Sequence, residues 1–164
     1  MKHTIRRSAP AALILTIALV ATGCTTTKKE PLLDAQQASD QMQSLVRDTM
    51  DVAGNKWTSM SDGPSPDECT TPDGTRGVSF SWDQLAEGVD DPRAVMERVN
   101  QAWQDKGLAT RTQSVKRADG KILHRVGSQD KVVDAIQFSA TTSRMTIAVQ
   151  SLCGTGNVDN FTQR

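Results

Sequence analysis

The chain has 164 residues, 19 basic and 19 acidic side chains, three tryptophans, three phenylalanines and no tyrosine. Zero formal charge without a basic stripe argues against nucleic acid as a partner. The length suits one domain large enough to bury its own core.

Lys2, Arg6 and Arg7 form a positive start, followed by an apolar run from Ala11 to Ala21 broken only by Thr16. A helix needs about 20 apolar residues to cross a bilayer, so this run reads as the hydrophobic region of a signal peptide instead. Ala21, Thr22 and Gly23 are small and lead directly to Cys24. The pattern resembles the lipobox of bacterial prolipoproteins, although Ala21 stands where leucine is commonest. The resemblance implies cleavage after Gly23 and lipid on Cys24, hence a membrane partner reached through that anchor. Two or more acyl chains hold a protein stably, at about 0.8 kcal/mol per buried methylene. Losing residues 1–23 leaves 141 of the 164, and 16 basic against 19 acidic side chains, a charge of −3. Residues 24–31 then read as a lipidated N-terminus and polar tether, 32–153 as one domain and 154–164 as a flexible tail.

Within the domain, Ala35, Ala38, Met42, Leu45, Val46, Thr49 and Ala53 recur at helical spacing. Asp34 and Gln37 suit a capping box, and Gly54-Asn55 a stop. A short extended piece around Trp57 precedes Ser61–Gly77, whose Gly, Pro, Asp and Ser content predicts loop. Val78, Phe80 and Trp82 alternate as one face of a strand. A second helix is predicted from Pro92, capped by Asp91, to Gly107, with Val95, Val99, Ala102 and Trp103 as its stripe and Met96 at the edge. Strands follow: 108–117 and 121–127 joined by Ala118–Gly120, then 131–140 and 144–153. In the last of these Met145, Ile147, Val149, Ser151 and Cys153 are expected on one face. Consecutive strands with short turns favour an α+β fold: two helices on one face of a mainly antiparallel sheet, in a single two-layer domain.

If Cys24 carries lipid, Cys69 and Cys153 remain in a compartment that permits disulfides. A bridge would close a loop of about 85 residues, for which chain entropy gives at most roughly 4–5 kcal/mol. The alternatives are two free thiols or metal ligation, and metal is disfavoured by the absence of C-x-x-C and by a single mature histidine. That histidine, His124, lies in a predicted strand without a nucleophile turn or oxyanion loop, and reads as solvated. Asp67-Glu68 and Asp90-Asp91 show no spacing that would hold two carboxylates across a cleft. The Asp-Gly pairs read as turns rather than calcium loops. No catalytic constellation, metal site or cofactor is expected. Trp57, Trp82 and Trp103 are either core or a platform for sugar or lipid, and the patterns of Trp82 and Trp103 favour core. Arg111, Lys116, Arg117, Lys121 and Arg125 cluster on one hairpin, either as an ordinary polar face or as a surface for anionic polymers or headgroups.

The leader, Trp57, Cys69 in a loop, "GVSFSW", the helix ending "AWQDKGL" and the closing Cys153 together resemble small actinobacterial lipoproteins of the LppA-like group. The resemblance implies an α/β lipoprotein on the outer face of the membrane, paired Cys69 and Cys153, and no catalytic residues. The expected function is therefore a non-enzymatic envelope module that binds a protein, a wall polymer or a lipid. The alternatives are a small envelope hydrolase using His124 or loop carboxylates, and a lipid-binding or accessory subunit.

Overall fold

The computed structural model describes residues 32–162. The leader, Cys24 and the tether lie outside the described residues.

The first helix, α1 (Ala35–Ala53), starts where Asp34 accepts the Gln37 backbone N–H at 2.8 Å and Gln37 returns a side-chain acceptor at 3.2 Å. This reciprocal cap satisfies donors that the first turn leaves open. All seven residues of the predicted stripe are buried. The second helix, α2 (Pro92–Asp105), is capped by Asp91 through the Ala94 N–H at 3.0 Å. It closes at Gly107, whose φ of 85° suits glycine.

The strands are β1 (Trp57–Ser59), β2 (Ser65–Thr70), β3 (Arg76–Glu87), β4 (Thr110–Lys116), β5 (Ile122–Ser128), β6 (Ala135–Ala140), β7 (Arg144–Gln150) and β8 (Gly154–Thr155). They form one antiparallel sheet in the order β1-β3-β7-β6-β5-β4, with β2 beside β1 on one edge of β3 and β8 beside β7 on the other. β4 to β7 are a simple meander of hairpins. The fold is α+β, as the alternation of patterns predicts.

Both long helices cover one face of the sheet. Val46, Val78, Val99, Trp103, Phe138, Met145 and Ile147 are essentially inaccessible and fill the layer between. Each such side chain contributes about 1.5–3 kcal/mol by leaving water. Lys106 and Asp48 add a half-exposed ion pair at 2.8 Å between α2 and α1. Such pairs are worth about 0–1 kcal/mol, so burial holds the helices.

Three expectations need correction. The predicted loop 61–77 contains β2, a true strand paired with β3 from Ser65↔Ser81 to Thr70↔Arg76. Its composition misleads because an edge strand tolerates Pro66, whose missing N–H faces no partner. The turn that follows is held by Thr71, Asp73 and Thr75, whose oxygens hydrogen-bond one another. The supposed tail is part of the domain through Thr162: β8 pairs with β3, and Phe161 meets Phe80 edge-on at 5.1 Å in the short helix α3 (Asp159–Thr162). The final long strand stops at Gln150 rather than Cys153.

Candidate functional site

The early end of β7 explains where Cys153 goes. Gln150 pairs with Ser81, and Gly154 pairs with Val78. Residues 151–153 therefore stand opposite only 79 and 80, a one-residue bulge. Ser151 anchors the bulge, its buried hydroxyl accepting the Phe80 N–H at 2.9 Å and donating to the Leu152 carbonyl at 2.8 Å. The extra residue reverses the alternation, so Cys153 leaves the core face that Met145, Ile147, Val149 and Ser151 share. It turns instead to the open face and bonds to Cys69, with the two Cα atoms 6.0 Å apart. The bridge passes over Gly77, where a Cβ would stand 2.8 Å from the Cys153 sulfur. Only a residue without a side chain fits beneath it.

His124 is not solvated as expected. It is 9% exposed on the helix-facing side of β5, and its Nδ1 lies 2.8 Å from the hydroxyl of Ser114, its cross-strand partner on β4. The hydrogen bond satisfies a ring nitrogen that burial would otherwise penalise. Ser114 sits on a straight edge strand rather than on a strained strand-to-helix turn of the kind that presents a nucleophile.

The carboxylate pairs remain apart. Glu68 on β2 makes an exposed ion pair with Arg76 at 3.5 Å, and Asp91 caps α2. Glu68 stands opposite Val78 near the start of β3, whereas Asp91 follows the end of β3 at Glu87, so most of that strand separates them. Among the described residues, no three His, Cys, Asp or Glu side chains gather as metal ligands would.

The tryptophans mostly pack. Trp103 is 1% exposed and donates to Thr49 Oγ1 at 2.9 Å. Trp57 is half-buried, tilted against Phe138 at 6.4 Å, and donates to the Gly54 carbonyl at 2.8 Å. Trp82 is also half-buried, with its N–H on Ser59 Oγ at 2.8 Å. Each polar edge has a partner and each ring has the core at its back, so none forms an open platform.

Among the described residues, the other face of the sheet carries no helix. A shallow depression of about 460 Å³ crosses β3, β7 and β6, lined by Ser81, Asp83, Gln137, Ala148 and Gln150 among others. Beyond it lie Arg111 and Arg125, and the Arg125 Nε is buried without a hydrogen-bond partner. The predicted basic cluster is spread along the hairpin: Arg111 and Lys116 on the β4 edge, Arg117 and Lys121 in the turn into β5, and Arg125 within β5. The structure adds Arg144 from the next hairpin, which sequence reasoning missed. In a meander, alternate turns return to the same end of the sheet, so Arg144 could have been found by pairing the two hairpins.

No family model matches the chain, and no curated protein does. Its fold is similar to that in the crystal structure of a DUF4853 family protein from Actinomyces odontolyticus. The two share 17% identity and a TM-score of 0.52 over 78% of this chain and 72% of that one. At that identity the likeness establishes the architecture alone.

Proposed function

We propose that the chain is a membrane-anchored lipoprotein on the extracytoplasmic face of the cell membrane, and that it works there as a non-enzymatic binding module. One observation carries the reading. Of three cysteines, Cys69 and Cys153 are joined to each other, which suits an oxidising compartment. Cys24 is left over, behind an eleven-residue apolar run ending at Ala21 and the small residues Thr22 and Gly23. Binding rather than catalysis is supported by the open sheet face and by the unpaired basic edge beside it. The partner is an envelope protein, a wall polymer or a lipid.

The test is Cys24→Ser expressed in the native host. The variant accumulates as unprocessed precursor, carries no acyl mass and leaves the membrane fraction. Normal processing and normal fractionation of that variant would overturn the reading.

One observation favours a second reading, a small hydrolase: the hydrogen bond between Ser114 and His124 is the contact a nucleophile makes with its base. Against it stand the edge-strand setting of Ser114 and the carboxylates at the two ends of β3. Ser114→Ala separates the two.

A further inference from the structure

The turns closing the β4–β5 and β6–β7 hairpins lie side by side and enclose a cavity of about 240 Å³. Its lining is Arg117, Asp119, Lys121, Thr141, Ser143 and Arg144, three cations against one carboxylate. The Lys121 ammonium donates to the Ser143 hydroxyl and so bridges the two turns. Asp119 is occupied in its own turn, accepting the Lys121 backbone N–H at 3.1 Å.

The two arginines of the cleft are among the cations of the described residues that no carboxylate neutralises, as Arg98 and Arg111 also are, but here two of them share one hollow. Arg76, Arg93 and Lys106 each hold a carboxylate. Among the described residues, the guanidinium groups of Arg117 and Arg144 hold neither a carboxylate nor a hydrogen bond. Two unneutralised forks and an ammonium around one hollow repel each other until an anion enters. The frame is also fixed in advance. Thr141 is 3% exposed, accepts the N–H groups of Ser143 and Arg144 at 3.2 and 3.1 Å, and donates to the Arg144 carbonyl at 3.0 Å. Holding the backbone of Arg144 in this way lowers the ordering cost of binding.

We propose that this cleft binds a phosphate group carried on a larger envelope molecule. Planar guanidinium forks match the oxygen pairs of phosphate, and an ammonium with a nearby hydroxyl completes the shell. At about 240 Å³ the cleft is smaller than the roughly 300–1,000 Å³ of pockets that engulf a drug-sized ligand. The cleft takes one charged group, with the rest of its carrier outside.

Position gives the site a direction. The chain enters the domain at Leu33, whose carbonyl accepts the Thr155 N–H at 2.9 Å beside the start of β3. From there α1 runs 19 residues, about 28 Å at 1.5 Å each, to the end of β3, where Asn55 donates to the Glu87 carbonyl at 3.0 Å. Arg144 pairs with Glu87 in the sheet, so the cleft opens at that far end. The cleft is thus at the end of the domain opposite Leu33, where the chain enters. Resting on the anchoring reading above, we take a phosphate polymer of the envelope as the source, and the vesicle arm of the test below is the outcome that would assign the site to headgroups.

The test is a titration of the processed chain, isotope-labelled and in phosphate-free buffer, with inorganic phosphate and with linear polyphosphate. Amide shifts are expected at residues 117–121 and 141–144. Arg144→Gln and Arg117→Gln each weaken binding about tenfold while leaving the melting temperature within a degree or two. Arg98→Gln, an exposed cation on α2, leaves binding unchanged. Shifts elsewhere, or equal weakening by Arg98→Gln, overturn the site. Vesicles of phosphatidylglycerol in phosphatidylcholine form the other arm. Capture by vesicles that Arg144→Gln abolishes, with no response to polyphosphate, overturns the polymer as the source. Phosphate binding in solution does not depend on lipid at Cys24, so failure of the anchor reading and failure of the cleft give separate results.

Discussion

The Trp103 indole N–H donates to Thr49 Oγ1 at 2.9 Å, and the same hydroxyl donates to the Leu45 carbonyl at 2.7 Å. Thr49 therefore relays a hydrogen bond from α2 into the backbone of α1, inside the apolar layer. Thr49→Val keeps the shape and removes the relay, leaving a buried indole donor without a partner. The expected loss is about 1–3 kcal/mol, read from urea unfolding. A loss below about 0.3 kcal/mol would mean that the indole finds another acceptor.

Replacing both Cys69 and Cys153 by serine removes a bond between residues 84 apart in sequence. Stability should fall by about 2–5 kcal/mol. The loss has a place as well as a size. Hydrogen exchange should quicken first in β2 and β8, which the bridge ties across β3, and last in β5 and β6. Uniform quickening across the sheet would contradict a local staple.

Gly77 and Gly127 are both strand glycines, with opposite surroundings. A Cβ on Gly77 meets the Cys153 sulfur at 2.8 Å and the Gly154 carbonyl at 2.5 Å, whereas on Gly127 it meets only the Ile136 carbonyl at 3.5 Å. Gly77→Ala should cost about 1–3 kcal/mol by overpacking. Gly127→Ala should be neutral or mildly stabilising, since glycine weakens a strand. Thermal melts of the two variants, measured side by side, check the contrast.

Ser114→Ala removes the hydroxyl beside His124 Nδ1. A structural role predicts a loss of about 0.5–1.5 kcal/mol and unchanged ligand binding. A hydrolase using Ser114 as nucleophile would instead lose several orders of magnitude in turnover of an ester substrate while keeping its fold. Finding that second pattern would replace the binding reading with a catalytic one.

The helices were legible because their information is local. The α1 stripe with the Asp34-Gln37 cap, and the Asp91–Gly107 frame of α2, need nothing from elsewhere in the chain. β2 was hidden because its residues are polar and its strand character comes from the register imposed by β3. The destination of Cys153 was hidden for a sharper reason. One added residue between Gln150 and Gly154 inverts the side-chain alternation, and no periodicity before the bulge announces it. His124 misled because its setting depends on which face of β5 meets the helices. Arg117 and Lys121 of the cleft could be read from the hairpin, but Arg144 joins them only through the geometry of the meander.

The bond between Leu33 and Thr155 also has a mechanical meaning. If the chain is anchored through Cys24 as proposed, a pull arrives at the domain through Leu33. Thr155 lies two residues from Cys153, so the load passes along β8 to a covalent link with β2 instead of unravelling α1 from its first turn. The entry point of the domain is thus held two residues from its covalent crosslink, and far from the turn that holds Arg144.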